Sequence, residues 1–556
     1  MQEQRASFHL GSALLVGSAL MHVAVAEAQP IGVPGGFSAS VSAAGPRQPP
    51  PSNSQSAAGL LARLPADTPG YFRGTYVSLM RAPLPAQIFD QGGIPDVIRE
   101  LELDDDPSGV LGTFLPDGST VTATNAFFQS LGTNGRSCAT CHQPPSGMSI
   151  SVRNIRARFQ ATGGSDPLFA PVDGANCPNQ VPEGATSGSL LGGVRGKGSE
   201  LERAHSLLLT KGLIRIALPV PAGAQFTISV VSDPSTCNLD PDFNSVENPD
   251  GSATQIVSVF RRPVISTNLD FKTTTLFPAP DGNSGNIMWD GREPTLSSQA
   301  INATLGHAQA LAAPTDAQVA QIVEFETRIF SAQIESDVAG LLDETGVTGG
   351  PIFLAGQAPG QLLAAPFDEF TAFATATGAL GAARQSVARG QQVFNSRVFT
   401  IAAVAGFNDF FGPDAPPQQG TCATCHNIGH AGSDALPNSQ RDIGVGGQAT
   451  FANAPPPATD LPIFRVEGCP AGSFLGDPTA TSVLTNDPGR ALITGLCRDV
   501  GASTVPTLRA LAAHEPYFRD GSAQSLADVV EFYDDRFAIG LTPEEEADLV
   551  NFLSVL

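Results

Sequence analysis

Positive charge is scarce in this chain: 556 residues carry 30 Lys and Arg against 53 Asp and Glu, a formal net charge of −23. That balance argues against a nucleic-acid partner and against docking on an anionic membrane, since both need clustered cations. It suits a basic protein partner instead. Past the first 28 residues there is no apolar run long enough to cross a bilayer, so no membrane span is expected in a mature chain. Soft and aromatic ligands are few. The five Met stand at 1, 21, 80, 148 and 288, so nothing after residue 288 can offer a thioether. There are eight His, four Tyr and a single Trp, Trp289. Charged residues make up only 15%, while Gly (58) and Pro (46) are plentiful, which predicts many loops around a modest number of helices.

What is present begins with an export signal. Arg5 supplies a positive start, Leu10 to Ala26 is an apolar run, and Ala26-Glu27-Ala28 is an A-x-A cleavage site. Residues 1–28 are read as a signal peptide cleaved near Ala28, with the mature protein in the periplasm; an uncleaved N-terminal anchor is the alternative. Residues 29–58, rich in Pro, Gly, Ser and Ala, read as a disordered linker.

The eight Cys divide evenly. Four sit in Cys138-Ala139-Thr140-Cys141-His142 and its repeat Cys422-Ala423-Thr424-Cys425-His426. Two thiols at this spacing can add to the two vinyl groups of one haem, and the adjacent His then ligates the iron, so each copy reads as a c-type haem attachment site. Cys138, Cys141, Cys422 and Cys425 are the attachment residues, and His142 and His426 the proximal iron ligands. A redox C-x-x-C pair or a split zinc site would have no need of the trailing His. Cys177, Cys237, Cys469 and Cys497 remain, an even number in an oxidising compartment. Pairing within each segment between motifs gives Cys177–Cys237 and Cys469–Cys497; four free buried thiols are the other reading.

Residues from about 143 to 260 have no counterpart after the second motif. Runs such as Leu213–Leu218 and Phe226–Val231 are β-like. The stretch reads as a partly β, disulfide-stapled insertion over the first site. Helices are predicted from Thr295, from the capping box Thr315-x-x-Gln318 to about Ala339, from Ser525-x-x-Asp528, and from Thr542-Pro543-x-Glu545. In the third of these, Leu526, Val529, Val530 and Tyr533 fall on one inward stripe.

With these residues in view, the chain resembles the bacterial di-haem cytochrome c peroxidases and their relatives, which include the di-haem enzyme that matures tryptophan tryptophylquinone and the rubber oxygenases. The resemblance rests on the two C-x-x-C-H motifs, on Trp289-Asp290-Gly291-Arg292 between them, and on Val505-Pro506-Thr507-Leu508-Arg509 followed by Pro516-Tyr517-Phe518-Arg519-Asp520-Gly521-Ser522. It covers most of 100–556 apart from the insertion. It implies a mainly α fold of two cytochrome c-like haem domains packed together, with the loop-rich insertion in the first: a catalytic haem domain over 59–385 and an electron-transfer haem domain over 386–556. It also implies that Trp289 relays electrons between two covalently bound haems.

Departures from the family pattern bear on the reaction. The family's distal Met on the second haem matches Tyr533, the ligand position used by the quinone-maturing enzyme; His514 and His430 are the competing ligands. Between the first motif and Trp289 the one His is His205, so the first haem is expected to be open, with His205 as the alternative ligand. The family's distal Glu, about twenty residues after the Trp, matches Gln309, which cannot shuttle a proton; nearby His307 can. The family's calcium motif is not matched, since Phe260-Arg261-Arg262-Pro263 stands there, but calcium remains a possible cofactor. The reading is an exported peroxidase that reduces hydrogen peroxide at the first haem with electrons from a small cytochrome or cupredoxin. The alternatives are a rubber-oxygenase-type dioxygenase acting on an apolar small molecule, and a non-catalytic di-haem electron carrier.

Overall fold

The computed structural model describes residues 95–181, 198–239, 244–248, 251–275, 283–357, 367–411, 416–427, 431–447 and 453–556. The expectations for 1–28, for 29–58 and for His430 fall outside these residues.

After a two-residue strand at Val97–Ile98, the described chain forms a hairpin of β1 (Leu101–Asp106) and β2 (Gly109–Phe114). After the first Cys motif, Ser151 caps α1 (Val152–Thr162) by accepting the Asn154 N–H. Both β-like runs of the insertion are strands: β3 (Ile214–Pro219) and β4 (Thr227–Ser232). β3 pairs antiparallel with β5 (Ile256–Arg261), placing Ile214 opposite Arg261. Three helices follow: α2 (Leu269–Thr273), α3 (Leu296–Gly306) and α4 (Asp316–Thr327). Thr295 and Thr315 start α3 and α4 with capping boxes.

The apolar spacing predicted that the helix begun at Thr315 would run to about Ala339. Instead α4 stops at Thr327, and β6 (Phe330–Ser336) pairs with β2, Phe330 opposite Phe114. β6 reads Phe-Ser-Ala-Gln-Ile-Glu-Ser, an apolar–polar alternation that fits a strand and not a helix, and its pairing with β2 buries both faces.

The second half is held by α5 (Gly381–Ser396), the strands β7 (Ile463–Glu467) and β8 (Ser482–Thr485), and the closing helices α6 (Leu526–Phe537) and α7 (Pro543–Leu553). α5 and α7 cross closely at Gly390, where a Cβ would lie 2.0 Å from the Asp548 carbonyl oxygen. β4 of the insertion joins this half: it pairs with β7, which pairs with β8. The insertion and the second half thus share a sheet and an apolar core that includes Ile155, Ile216, Phe464 and Leu492. Cys177–Cys237 and Cys469–Cys497 are both disulfides, as the pairing within segments anticipated. Helix and strand share the described chain, so a mainly α description is too narrow. Helices gather around the Cys motifs while short strands and loops connect them.

The two halves repeat one local frame. Each motif forms a 3-10 turn closed by a capping box, Ser137 with Thr140 and Thr421 with Thr424. Phe127 and Phe394 lie against His142 and His426, with ring centroids 6.5 and 6.2 Å apart. Asp290-Gly291 and Asp520-Gly521 make the same turn, bridged by Ile287–Glu293 and Tyr517–Ala523, and lead into α3 and α6. α4 and α7 then bring Phe325 and Phe552 onto Phe127 and Phe394. In the first half, the counterpart of the long α5 is reduced to 3-10 turns at Thr122–Thr124 and Ala126–Phe128.

Candidate functional site

Each Cys motif opens on its own cavity. Cys138, Cys141 and His142 line one of about 140 Å³, with Trp289, Ala303 and His307 on its other walls. Cys422, Cys425 and His426 line a second of about 220 Å³, with Trp289, His514 and Tyr533. Trp289 and the segment 262–265 line both, and so form the partition between them.

The motif imidazoles are set up alike. His142 Nδ1 lies 3.0 Å from the Met148 carbonyl oxygen, and His426 Nδ1 lies 2.6 Å from that of Gly432. Burial pushes the pKa of both rings down to about 4. A neutral ring that donates Nδ1–H to a carbonyl keeps its Nε2 lone pair free, which is the form that ligates a metal. The four thiols are free although every other Cys is in a disulfide. Burial raises their pKa values, that of Cys422 to about 12 and that of Cys425 to about 11. A redox C-x-x-C works through a stabilised thiolate and needs the opposite shift. Among the described residues no group of three or more His, Cys, Asp or Glu could hold a metal ion, so neither zinc nor a carboxylate calcium site is found there.

The residues fit a haem in each cavity. Besides two thiols and one free imidazole nitrogen per cavity, the first has buried cations without carboxylate partners. Lys272 Nζ donates to Thr504 Oγ1 (3.1 Å) and the Val505 carbonyl oxygen (3.4 Å). Arg262 donates to the carbonyls of Lys211, Ile150 and His514. Burial lowers their pKa values to about 8 and about 10. Buried cations of this kind call for anionic groups, and a haem carries two propionates.

The partition is rigidly tied. The Trp289 indole donates to the Arg262 carbonyl oxygen (2.8 Å). Beside it, Asp290 accepts from Arg261 (2.6 Å) and Arg292 (2.8 Å), and Arg261 holds Asp487 through two bonds of 2.6 and 2.8 Å. Arg519 reaches the same Asp487 at 3.3 Å. Burial opposes the charge on both carboxylates, but the arginines outweigh it and hold them below the usual range. The insertion adds its own clamp, since Arg158 donates to the Thr140 carbonyl oxygen (2.6 Å) within the first motif while paired with Asp166. Ile214 and Ile216 of β3 also line the first cavity, so the insertion covers it.

His307 and Gln309, two residues apart in sequence, part company in space. His307 caps the end of α3 and lines the first cavity, with Nδ1 2.9 Å from Asp173 Oδ2. Arg136 Nη1 holds the same carboxylate oxygen at 3.3 Å. Gln309 lies outside the cavity lining: its backbone turns at φ 54°, and its Oε1 accepts from Asn134. The chain reverses after α3, so counting residues from Trp289 misplaces it. His205 is also no ligand, because its two ring nitrogens lie 2.8 and 2.9 Å from the Leu201 and Phe169 carbonyl oxygens. Tyr533 and His514 both line the second cavity. Burial raises the pKa of the Tyr533 phenol, with smaller contributions from Cys425 and Cys422, whereas the charged neighbour of His514 is Arg262 in the partition.

The repeat sharpens the contrast. Ala303 and His307 stand as far beyond Gly291 as Tyr533 and Phe537 stand beyond Gly521. All four line their own cavity. The first cavity has a methyl group and an imidazole where the second has a phenol and a phenyl ring. Asp173 was not foreseen. It comes from the insertion, and no local pattern ties it to His307.

No family model matches the chain, and no curated protein does. Among solved structures, one match is the crystal structure of a MauG-like protein associated with microbial copper homeostasis. It is 17% identical and covers 56% of this chain and 78% of that chain, with a TM-score of 0.26. A superposition that loose carries no weight for fold or activity.

Proposed function

We propose that this chain is an exported di-haem c-type oxidoreductase that reduces hydrogen peroxide at the first motif, with electrons passed from the second. The observation that carries the reading is the pair of like-built C-x-x-C-H turns, each opening on its own cavity and separated by the shared Trp289. Cys138, Cys141, Cys422 and Cys425 would attach the haems, His142 and His426 would ligate iron, and Lys272 and Arg262 would meet propionates. When bound, the haems supply one-electron redox chemistry and, at the first, a place for peroxide.

The chain's own residues divide the work. Ala303 leaves room on the first side where Tyr533 would occupy a ligand position on the second. Asp173 holds the His307 ring, which takes a proton from the near peroxide oxygen and returns it to the departing one. Trp289 offers its indole as the electron bridge. A small cytochrome or cupredoxin is the donor that a net charge of −23 suits. Two disulfides fit export, and no described helix is long and apolar enough to cross a membrane. The His307–Asp173 pair favours peroxide chemistry over oxygenation of an apolar molecule, and Ala303 weighs against a pure electron carrier.

The test is to count haems by the pyridine haemochrome spectrum, then mix the ferric protein with stoichiometric peroxide in a stopped-flow spectrometer. Two thioether haems per chain and a fast spectral shift, reversed by a reduced donor, are expected. A protein inert to peroxide that forms a stable dioxygen complex would move the assignment to the oxygenase. Fewer than two haems would refute the di-haem reading.

A further inference from the structure

One buried acid takes no part in the chemistry above. Glu326, in the last turn of α4, is 4% exposed and lines the first cavity. Its Oε2 has no hydrogen-bond partner. It lines the same cavity as Cys138, whose thiol pKa its charge raises beyond the effect of burial. A buried, unpaired carboxylate is costly, and packing alone would favour an apolar side chain.

The second half shows that apolar choice. α4 and α7 begin with matching capping boxes at Thr315 and Thr542, and Phe325 and Phe552 hold matching places. The next residue is Glu326 in one and Leu553 in the other, and each lines its cavity. The acid therefore belongs to the first site and not to the shared frame.

Its charged surroundings leave it unneutralised. α2 carries Asp270 and Lys272, α3 ends at His307, and α4 itself carries Glu324, with Arg328 beyond its end. The cavity walls add Arg136, Asp173, Arg261, Arg262, Arg292 and His142. Burial alone drives the Glu326 carboxyl up, to about 8.

We propose that Glu326 is the proton-exchanging group coupled to the oxidation state of the haem held by the first motif, an inference that rests on the di-haem reading. Glu326 releases its proton to solvent, the O–H electron pair staying on the carboxylate, when one electron leaves that haem. The electron acceptor is the second haem, or a redox dye in the assay. Glu326 takes a proton back when the electron returns. The carboxylate offsets the added positive charge, so its pKa is lower in the oxidised protein than in the reduced one. Between those two values each electron moves with one proton. The couple's equilibrium constant then changes tenfold per pH unit, ~59 mV.

The experiment begins with the haem count, which tests the reading by itself: fewer than two haems removes both. With two present, spectroelectrochemical titrations between about pH 5 and pH 9 follow for wild type, Glu326→Gln and Glu326→Leu, the last copying Leu553. One centre in the wild type should show the pH slope, both variants should abolish it, and the other centre should stay unchanged. Two pH-independent centres in the wild type, or a slope that survives in Glu326→Gln, overturn the proposal. Should the variants fail to take up haem, the wild-type slope is joined by the reduced-minus-oxidised infrared spectrum. A protonated carboxyl band must then disappear on oxidation, and its persistence overturns the proposal.

Discussion

Arg261 is the residue whose loss should be felt most in the partition. Its guanidinium is 1% exposed and makes three charge-assisted bonds of 2.6 to 2.8 Å to Asp290 and Asp487, themselves 0% and 2% exposed. Arg261→Met keeps the length and removes the charge. Asp290 would retain Arg292, and Asp487 would retain Arg519 at 3.3 Å. The cost should therefore be that of one broken buried pair, ~3–5 kcal/mol, rather than of two. The pH dependence separates this account from simple loss of packing. In the wild type both carboxylates are held below 3.8, so the stability they lend is present above that value and fades as the pH falls beneath it. Without Arg261, Arg519 and the Gly489 N–H offset burial only in part and Asp487 is driven upward, so acid relieves the variant by neutralising it. The destabilisation should be largest near pH 7 and clearly smaller near pH 4. Urea unfolding followed by the fluorescence of the sole Trp measures both quantities. A loss under ~1 kcal/mol, or one unchanged between the two pH values, would refute the reasoning.

His307→Gln should slow the reaction with peroxide by ~10²–10⁴-fold while leaving haem content intact, as stopped-flow mixing would show; an unchanged rate removes His307 from the chemistry. Ala303→Tyr places a phenol where the second site has Tyr533, and should bring a phenolate charge-transfer band together with loss of peroxide reactivity. Tyr533→Phe should raise the potential of the second centre alone, because a phenolate favours ferric iron; potentiometry with no shift would point to His514 as the ligand. Cys177→Ser opens a link spanning 60 residues and should cost ~4 kcal/mol on a chain-entropy estimate. Thermal melts indifferent to this change would show that the link is idle.

Features encoded within a few residues were legible from sequence. The two Cys motifs, the helix start at Thr295, the caps at Thr315, Ser525 and Thr542, and the inward face of Tyr533 all depend on short-range spacing. The disulfides followed from where the Cys lie between motifs. Contacts between distant segments were not legible. Asp173 reaches His307 from the insertion, and His205 is consumed by two carbonyls that no local pattern links to it. β6 did leave a local signal, the alternation from Phe330 to Ser336, which the helical reading from Thr315 ran through. The choice between His307 and Gln309 turned on one left-handed residue after α3. Glu326 did leave a signal, since it continues the inward stripe of Val319 and Ile322, where an acid is out of place.

The proposed division of labour between the sites rests on the departures from a common frame. Residues shared by both halves are those that would serve attachment: the thiols, the carbonyl-bound imidazoles, and the phenylalanines beside them. At three matched cavity positions the differences run in one direction. Ala303, His307 and Glu326 give the first cavity space and two titratable groups; Tyr533, Phe537 and Leu553 give the second a candidate ligand and apolar walls. A site that binds and protonates a small oxidant needs room and proton carriers, whereas one that only passes electrons is served by a filled ligand position and a dry surround. At the matched turn, Trp289 stands where the second half has Arg519, so the only indole in the chain falls on the partition, and the arginine is spent on the ion network that braces it. A duplicated frame with substitutions of this polarity is what supports the proposal that the chemistry belongs to the first motif and the electron supply to the second.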